Sequence, residues 1–416
     1  MGFAYRHGAL CVEDLPLEDI ARRFGTPCYV YSRAAIEGAY REFVDALAGR
    51  PALVCYSVKA NSNLAVLALM ARLGAGFDIV SGGELSRVLA AGGDARKVVF
   101  SGVGKTTDEI ASAIDAGVLS INLESEQELT RVNEIAGRLG KRAPVALRVN
   151  PDVDPKTHPY ISTGLKQNKF GVGYAAAERL CLEAARMPHV ALAGVGFHIG
   201  SLMLESRPFA DATARIAALA GRLETAGVAL GHIDLGGGMG IRYKDEAPAP
   251  IGEFVRAALA ALGGRREKLL LDPGRSIVGN AGVLLARVEY VKPGEEKNFL
   301  VVDAAMNDLL RPALYGAWHE VLPLRGAQPG GVGALYDIVG PVCESADFLA
   351  KDRQLAARAG DFLAIMSSGA YGMCMSSNYN TRPRAAEVMV SGGDVRLVRR
   401  RESAAELFAL EQVPAW

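Results

Sequence analysis

Lys59 closes the apolar run VCYSV at 54–58. At the mouth of a low-dielectric interior its amine would be desolvated, which lowers the pKa of a lysine and lets it form a Schiff base with a carbonyl. A lysine whose head simply reaches water past a strand end fits the position equally well. The run GGGMG (236–240) and the segment DPGRS (272–276) could bring backbone N–H groups close to a phosphate, although a chain with 47 glycines also has glycine turns without ligands. His198, in GFHIGS, could stack on a flat ligand or shuttle a proton, or be an ordinary core histidine. RPALYGAWH (311–319), CES (343–345) and SSGAYG (367–372) gather Arg, Tyr, Cys and Glu near turns, where a rigid sheet can present binding groups. Their plain alternative is a solvated arginine, core aromatics and a buried thiol.

These residues need elements that hold them together. Short Val-, Ile- and Leu-rich runs at 54–59, 76–80, 98–101, 119–123, 145–149, 195–198, 232–235 and 269–271 alternate with helical periods such as 64–73, 125–139, 209–226 and 251–262. Eight βα units in roughly 220 residues suit an α/β fold with a (β/α)8 barrel better than an open doubly wound sheet. In such a barrel chemistry sits at the C-terminal strand ends, which here carry Lys59, Ser81, Asn150, His198, Gly236 to Gly238 and Asp272 to Arg275. Loops after the seventh and eighth strands are the usual phosphate site of this barrel. Beyond Ser276 the runs VLLARVEYV, NFLVVDA, LYDIVG, DFLAIM, AEVMVSG and VRLVRR lack long helices between them and predict a second, mainly antiparallel β domain. The segment PCYVYS (27–32) could begin the barrel or join that domain, and GAQPGGVGA (326–334) is the most loop-like stretch.

The 416 residues are 50% hydrophobic and 22% charged, an ordinary globular composition. Lys and Arg balance Asp and Glu at 46 each, so no net field favours nucleic acid or an anionic membrane. Six dispersed cysteines, with no C-x-x-C pair and no zinc-ligand spacing, read as reduced thiols. With neither a signal peptide nor a membrane-spanning run, the chain reads as soluble and cytoplasmic.

Taken in order, YSVKAN (56–61), FHIGS (197–201), GGGMG, DPGRS, RPALYGAWH, CES and GAYG form a recognisable series. The chain resembles the alanine-racemase-like, fold-type-III decarboxylases that use pyridoxal 5'-phosphate, and most closely the diaminopimelate decarboxylases. The likeness runs from PCYVYS to the last β segments. It implies a barrel at 34–278 and a β domain of 1–33 plus 279–416, in a homodimer with shared active sites.

On matching positions the resemblance implies that Lys59 holds the cofactor and His198 stacks on its ring. Ser201, Gly238 and the segment Asp272, Pro273, Gly274 and Arg275 would surround the phosphate and pyridine ring, with Asp272 beside the ring nitrogen. Arg275, Arg311 and Tyr315 would take substrate carboxylate, Glu344 the distal amino group, Tyr371 both substrate and cofactor, and Cys343 would donate a proton. The implied reaction is decarboxylation of meso-2,6-diaminopimelate to lysine. Two positions depart from the family pattern: Asp272 stands where relatives usually carry Glu, and Leu202 follows HIGS where they commonly have Gln. The alternatives are a decarboxylase of ornithine, lysine or arginine, a racemase, a catalytically silent paralogue, and a barrel that binds phosphorylated sugars.

Overall fold

The computed structural model describes residues 2–154, 169–326 and 333–416, so most of the loop-like stretch 326–334 lies outside them. The chain divides into two compact units, one of Met1–Gly38, Arg242–Glu246 and Ile277–Trp416, the other of Ala39–Ile241 and Ala247–Ser276.

The second unit is built on eight parallel strands: β1 (Ala52–Ser57), β2 (Gly76–Ile79), β3 (Val98–Phe100), β4 (Ser120–Leu123), β5 (Ala143–Asn150), β6 (Val190–Gly196), β7 (His232–Asp234) and β8 (Lys268–Leu271). Each pairs with the next, and β8 pairs with β1, so the sheet closes on itself and the open-sheet alternative falls. The strands are short and almost wholly buried, as a parallel sheet covered by helices requires. All eight runs expected from the sequence are strands, with ends shifted by a few residues. The first of them stops at Ser57, which leaves Lys59 in a single 3-10 turn, Val58–Ala60, rather than in the strand.

Three of the strand-to-helix turns share one chemistry. The hydroxyls of Ser81, Thr106 and Ser125 accept hydrogen bonds from the backbone N–H of Glu84, Glu109 and Glu128, the S/T-x-x-E pattern that satisfies the first free amides of a helix. These caps start helices at Gly82–Ala90, Thr107–Ala116 and Glu126–Arg138, the first and last of them within three residues of the strand end. They fix the upper loops without bulky side chains.

In the other unit, Phe3–Arg6, Ala9–Val12 and Leu15–Pro16 form a small antiparallel meander. A larger sheet runs in the order 348–355, 334–339, 298–302, 282–292, 28–32, 386–391, 394–399, with Phe362–Ile365 joining Gly282–Lys292 and Val321–Pro323. Most of its pairings are antiparallel; two are parallel. The strand Cys28–Ser32, from PCYVYS, lies in this sheet between Gly282–Lys292 and Ala386–Ser391. Its core gathers Val12, Leu17, Val30, Leu285, Val388 and Val390. None of the cysteines is disulfide-bonded, and no described helix is long and apolar enough to cross a membrane.

Within the barrel unit Phe209 is fully buried, its ring 5.7 Å from that of Phe197 and 5.9 Å from that of Phe254. Phe209→Ala would leave a cavity between them and should cost about 3–5 kcal/mol in urea unfolding; a loss under about 1 kcal/mol would mean that the helices collapse onto the gap.

Candidate active site

Lys59 Nζ donates to Asp78 Oδ2 at 3.1 Å, and Ser57 Oγ donates to the same oxygen at 2.7 Å. Asp78 is interior to β2 and almost fully buried. Burial alone would push its carboxyl up, but the Lys59 charge, and then hydrogen bonds from its neighbours, hold it below the ordinary value. Asp78 is therefore the counterion of the candidate nucleophile. Glu84, whose carboxylate accepts from Val80 N, is pushed up to about 7 by burial.

Two further acids share the interior. Asp234, at the end of β7, is pushed up to about 7 by burial and then by Asp272; it accepts from Gly236 N at 2.9 Å and from Asn122 Nδ2 at 3.3 Å. The strand beside it makes room: at Gly196, paired with Asp234, an added Cβ would meet the Asp234 Cβ at 2.6 Å. Asp272, directly after β8, is pushed up to about 8 by burial and then by the negative charge of Asp78. Among the described residues its Oδ1 is buried without a hydrogen-bond partner. Such an oxygen favours a donor or cation placed beside it.

His198 follows β6. Gly237 N donates to its Nδ1 at 3.3 Å, so that nitrogen carries a lone pair, and burial, followed by the charges of Lys59 and Arg148, lowers the ring to about 3. The 3.4 Å approach of Nδ1 to Asp272 Oδ1 is thus not an ion pair, because the imidazole is neutral. Arg148 Nη2 donates to the His198 carbonyl at 3.4 Å while Nη1 binds Glu124 at 2.8 Å. Glu124 in turn accepts from Gly102 N at 3.0 Å and Gly171 N at 2.7 Å, tying three upper loops to one carboxylate.

The glycine turn after β7 packs without space for side chains. Gly238 has φ +89°, and a Cβ there would come within 2.0 Å of the Gly200 carbonyl. Met203 N donates to the Gly238 carbonyl at 2.9 Å, and Arg275 Nη2 donates to Ser201 Oγ at 3.2 Å. Pro273 O accepts from Ser57 N at 3.0 Å, and Gly274 lies against Ser57 and Ala60. Lys59, His198, Ser201, Gly238, Asp272, Pro273, Gly274 and Arg275 are thus all at the strand ends of one barrel.

The remaining candidates belong to the other unit. Arg311 and Tyr315 open and close one short helix, Arg311–Tyr315, and Arg311 is buried with its Nη1 donating to His319 Nε2 at 2.7 Å. Cys343 and Glu344 are exposed on a turn: Cys343 N donates to Asn380 Oδ1 at 3.0 Å, and the Tyr379 hydroxyl to Glu344 Oε2 at 3.1 Å. The thiol foreseen as buried is therefore at the surface of the chain. Tyr371 is half-buried with φ +55°. Sequence reasoning passed over Asp78, Asp234, Arg148, Glu124 and His319. The usable signal was an acid or arginine inside an apolar strand, as in GFDIV, HIDL and VALRVN.

The description "pyridoxal-dependent decarboxylase, pyridoxal binding domain" belongs to the family that matches residues 33–279. Over 411 residues the chain is 57% identical to a diaminopimelate decarboxylase of Pseudomonas aeruginosa, with 99% of both chains covered. The diaminopimelate decarboxylase of Helicobacter pylori, solved in complex with L-lysine, is 41% identical with a TM-score of 0.92, over 95% of this chain and 99% of that one. That of M. jannaschii, in co-complex with L-lysine, is 37% identical with a TM-score of 0.94, over 99% and 98%.

Linkage gives the buried acid a readable signature. Folded Asp272 keeps its proton to about pH 8, whereas an unfolded aspartate releases it near pH 4. Between those values the native state holds more protons, so this group makes stability fall as pH rises. In the ligand-free chain Asp272→Asn should gain on the parent by on the order of a few kcal/mol between about pH 5 and pH 8 in urea unfolding. Parallel pH curves for the two proteins would refute the raised value.

Proposed function

The chain belongs to the pyridoxal-dependent decarboxylases and, within them, to the diaminopimelate decarboxylases, and we propose that the barrel-rim residues described above are its cofactor site. It is a carboxy-lyase that uses pyridoxal 5'-phosphate to convert meso-2,6-diaminopimelate to L-lysine and CO2, the last step of lysine biosynthesis. The observation that carries the site assignment is the arrangement of Lys59 on Asp78 beside a buried, partnerless Asp272 oxygen and a glycine turn too tight for any side chain. Those are the needs of an amine-linked ring with a basic nitrogen and a phosphate.

When bound, the cofactor supplies an electron sink for the charge left on the substrate α-carbon as CO2 departs. Lys59 would hold it through its amine, which Asp78 keeps oriented at the barrel mouth. Asp272 would face the ring nitrogen, since a carboxyl already raised by burial gains most from a cationic neighbour. His198, neutral and fixed by Gly237 N, offers a flat uncharged face. Ser201, Gly238 and the 273–275 segment form the phosphate cradle, where backbone amides approach closely because no Cβ intervenes. Arg275, Arg311 and Tyr315 bind substrate carboxylate, and the paired N–H groups of a guanidinium suit that geometry. Glu344 takes the distal amino group, Tyr371 touches substrate and cofactor, and Cys343 Sγ delivers the proton to the α-carbon.

A proton-donating thiol has to work away from bulk water, yet Cys343 and Glu344 are exposed on the chain. That exposure supports a homodimer in which these residues of one subunit complete the site of the other. Lys59→Ala and Cys343→Ala proteins, each inactive alone, should then recover roughly a quarter of parental turnover when mixed and allowed to exchange subunits, since half the dimers carry one intact site. Absence of any recovery despite exchange would place both residues in one chain's site.

Specificity is tested by following CO2 and amine product with meso-diaminopimelate, L-ornithine, L-lysine and L-arginine. Lysine from diaminopimelate alone is expected; turnover of a substrate with one carboxylate would move the assignment to the basic amino-acid decarboxylases. Arg311→Ala should raise KM for diaminopimelate by roughly 10- to 100-fold, the usual effect of losing a charged hydrogen-bond donor.

A further inference from the structure

Arg311 is held by the last residue of its own motif, RPALYGAWH, the His319 to which no role is given above. The helix Arg311–Tyr315 ends at Gly316, whose left-handed backbone (φ +61°) turns the chain so that His319, eight residues after Arg311, comes back beside it. His319 is fully buried. Its Nε2 lies 2.7 Å from Arg311 Nη1 and its Nδ1 lies 2.8 Å from the Met366 carbonyl. A guanidinium can only donate and a carbonyl can only accept. The two contacts therefore fix one tautomer, with the proton on Nδ1 and the lone pair on Nε2 aimed at the guanidinium, in a neutral ring.

The rest of the frame is equally constrained. The Tyr243 ring lies 4.6 Å beneath the Arg311 guanidinium carbon and packs edge-on against His319 with ring centroids 5.4 Å apart. The backbone of His319 is pinned as well, since Arg353 Nη2 donates to its carbonyl at 3.1 Å. Arg353 is itself mostly buried, stacked on Trp318 at 3.0 Å. A long, rotamer-rich arginine thus has its stem buried, one face covered by an aromatic ring and one N–H directed by a lone pair that cannot turn.

We propose that His319 is the positioning residue of Arg311, and that it presets the direction in which the guanidinium meets a carboxylate of a dicarboxylic amino acid. An acceptor that carries no charge orients the arginine without itself cancelling the positive charge. A carboxylate at 319 would direct the arginine just as well but would compete with the ligand. The inference rests on the carboxylate-binding role given above to Arg311.

The test compares His319→Phe, which keeps the ring against Tyr243 but has no acceptor, with His319→Gln, which can both accept from Arg311 and donate to Met366. His319→Met serves as the acceptor-poor variant if Phe does not fold. KM and kcat for diaminopimelate, cofactor affinity by spectral titration and Tm are measured for each, beside Arg311→Ala. The expected result is a KM raised about 10- to 100-fold in the Phe or Met variant, with a smaller change in kcat, unaltered cofactor affinity, and return to within a few-fold of the parent in the Gln variant. A raised KM in Arg311→Ala together with a parental KM in the folded acceptor-less variant would overturn the positioning role alone. A parental KM in Arg311→Ala would overturn the carboxylate role, and the positioning role with it. A cofactor affinity that falls in step with KM would also overturn it, because a general loosening of the unit would then explain the loss.

Discussion

The Asp78 carboxylate is buried at the mouth of the barrel, and its charge is tolerable there because the half-buried Lys59 ammonium lies 3.1 Å away. Two more carboxyls, Asp234 and Asp272, occupy the same interior, and three negative charges cannot be sustained against one nearby amine. The strand positions decide which acid keeps its charge. Asp78 has the amine and the Ser57 hydroxyl; Asp234 has a backbone amide and the Asn122 amide; Asp272 has an oxygen with no donor. The ordering of their acidities follows from that distribution of donors, and it leaves the most frustrated group, Asp272, where a ring nitrogen would relieve it.

The surrounding architecture serves this arrangement by removing side chains rather than adding them. Glycine at 196 lets Asp234 stand inside the barrel, and glycine at 238 lets the turn touch the Gly200 carbonyl. Glu124 then ties the upper loops through two amides and Arg148, whose other arm supports the His198 backbone. The β unit holds its buried arginine, Arg311, in a different way. It does so with an uncharged imidazole and an aromatic face, where the barrel uses a carboxylate.

Much of this was legible in the residues because buried parallel strands announce themselves as apolar runs and barrel chemistry collects at their ends. Lys59, His198, GGGMG and DPGRS all stand at such ends. The strand Phe348–Leu355 was passed over since FLAKDRQL follows three apolar residues with four polar ones and so shows neither a strand's alternation nor a longer apolar run, and Val321–Pro323 is too short to register. Arg242–Glu246 belongs with the β unit although it lies between the seventh and eighth barrel strands, a placement set by contacts and not by periodicity. Asp78, Asp234 and Arg148 stand out locally only as polar residues in apolar runs; which partners they meet is set by closure of the barrel. His319 stood in a motif chosen for its arginine and tyrosine, and only the turn at Gly316 brings it round.

The strand Cys28–Ser32 has one neighbour that begins at Gly282 and another that begins at Ala386. A ribosome makes that strand roughly 350 residues before the second of those partners. At about 5–20 residues per second it waits for tens of seconds with both edges unpaired while the whole barrel is being synthesised. The barrel is contiguous enough to close during that interval, apart from the Arg242–Glu246 excursion, whereas the β unit can be completed only after the C-terminal residues emerge. Nascent chains of this protein therefore carry an unpaired segment of apolar and aromatic residues for most of their synthesis.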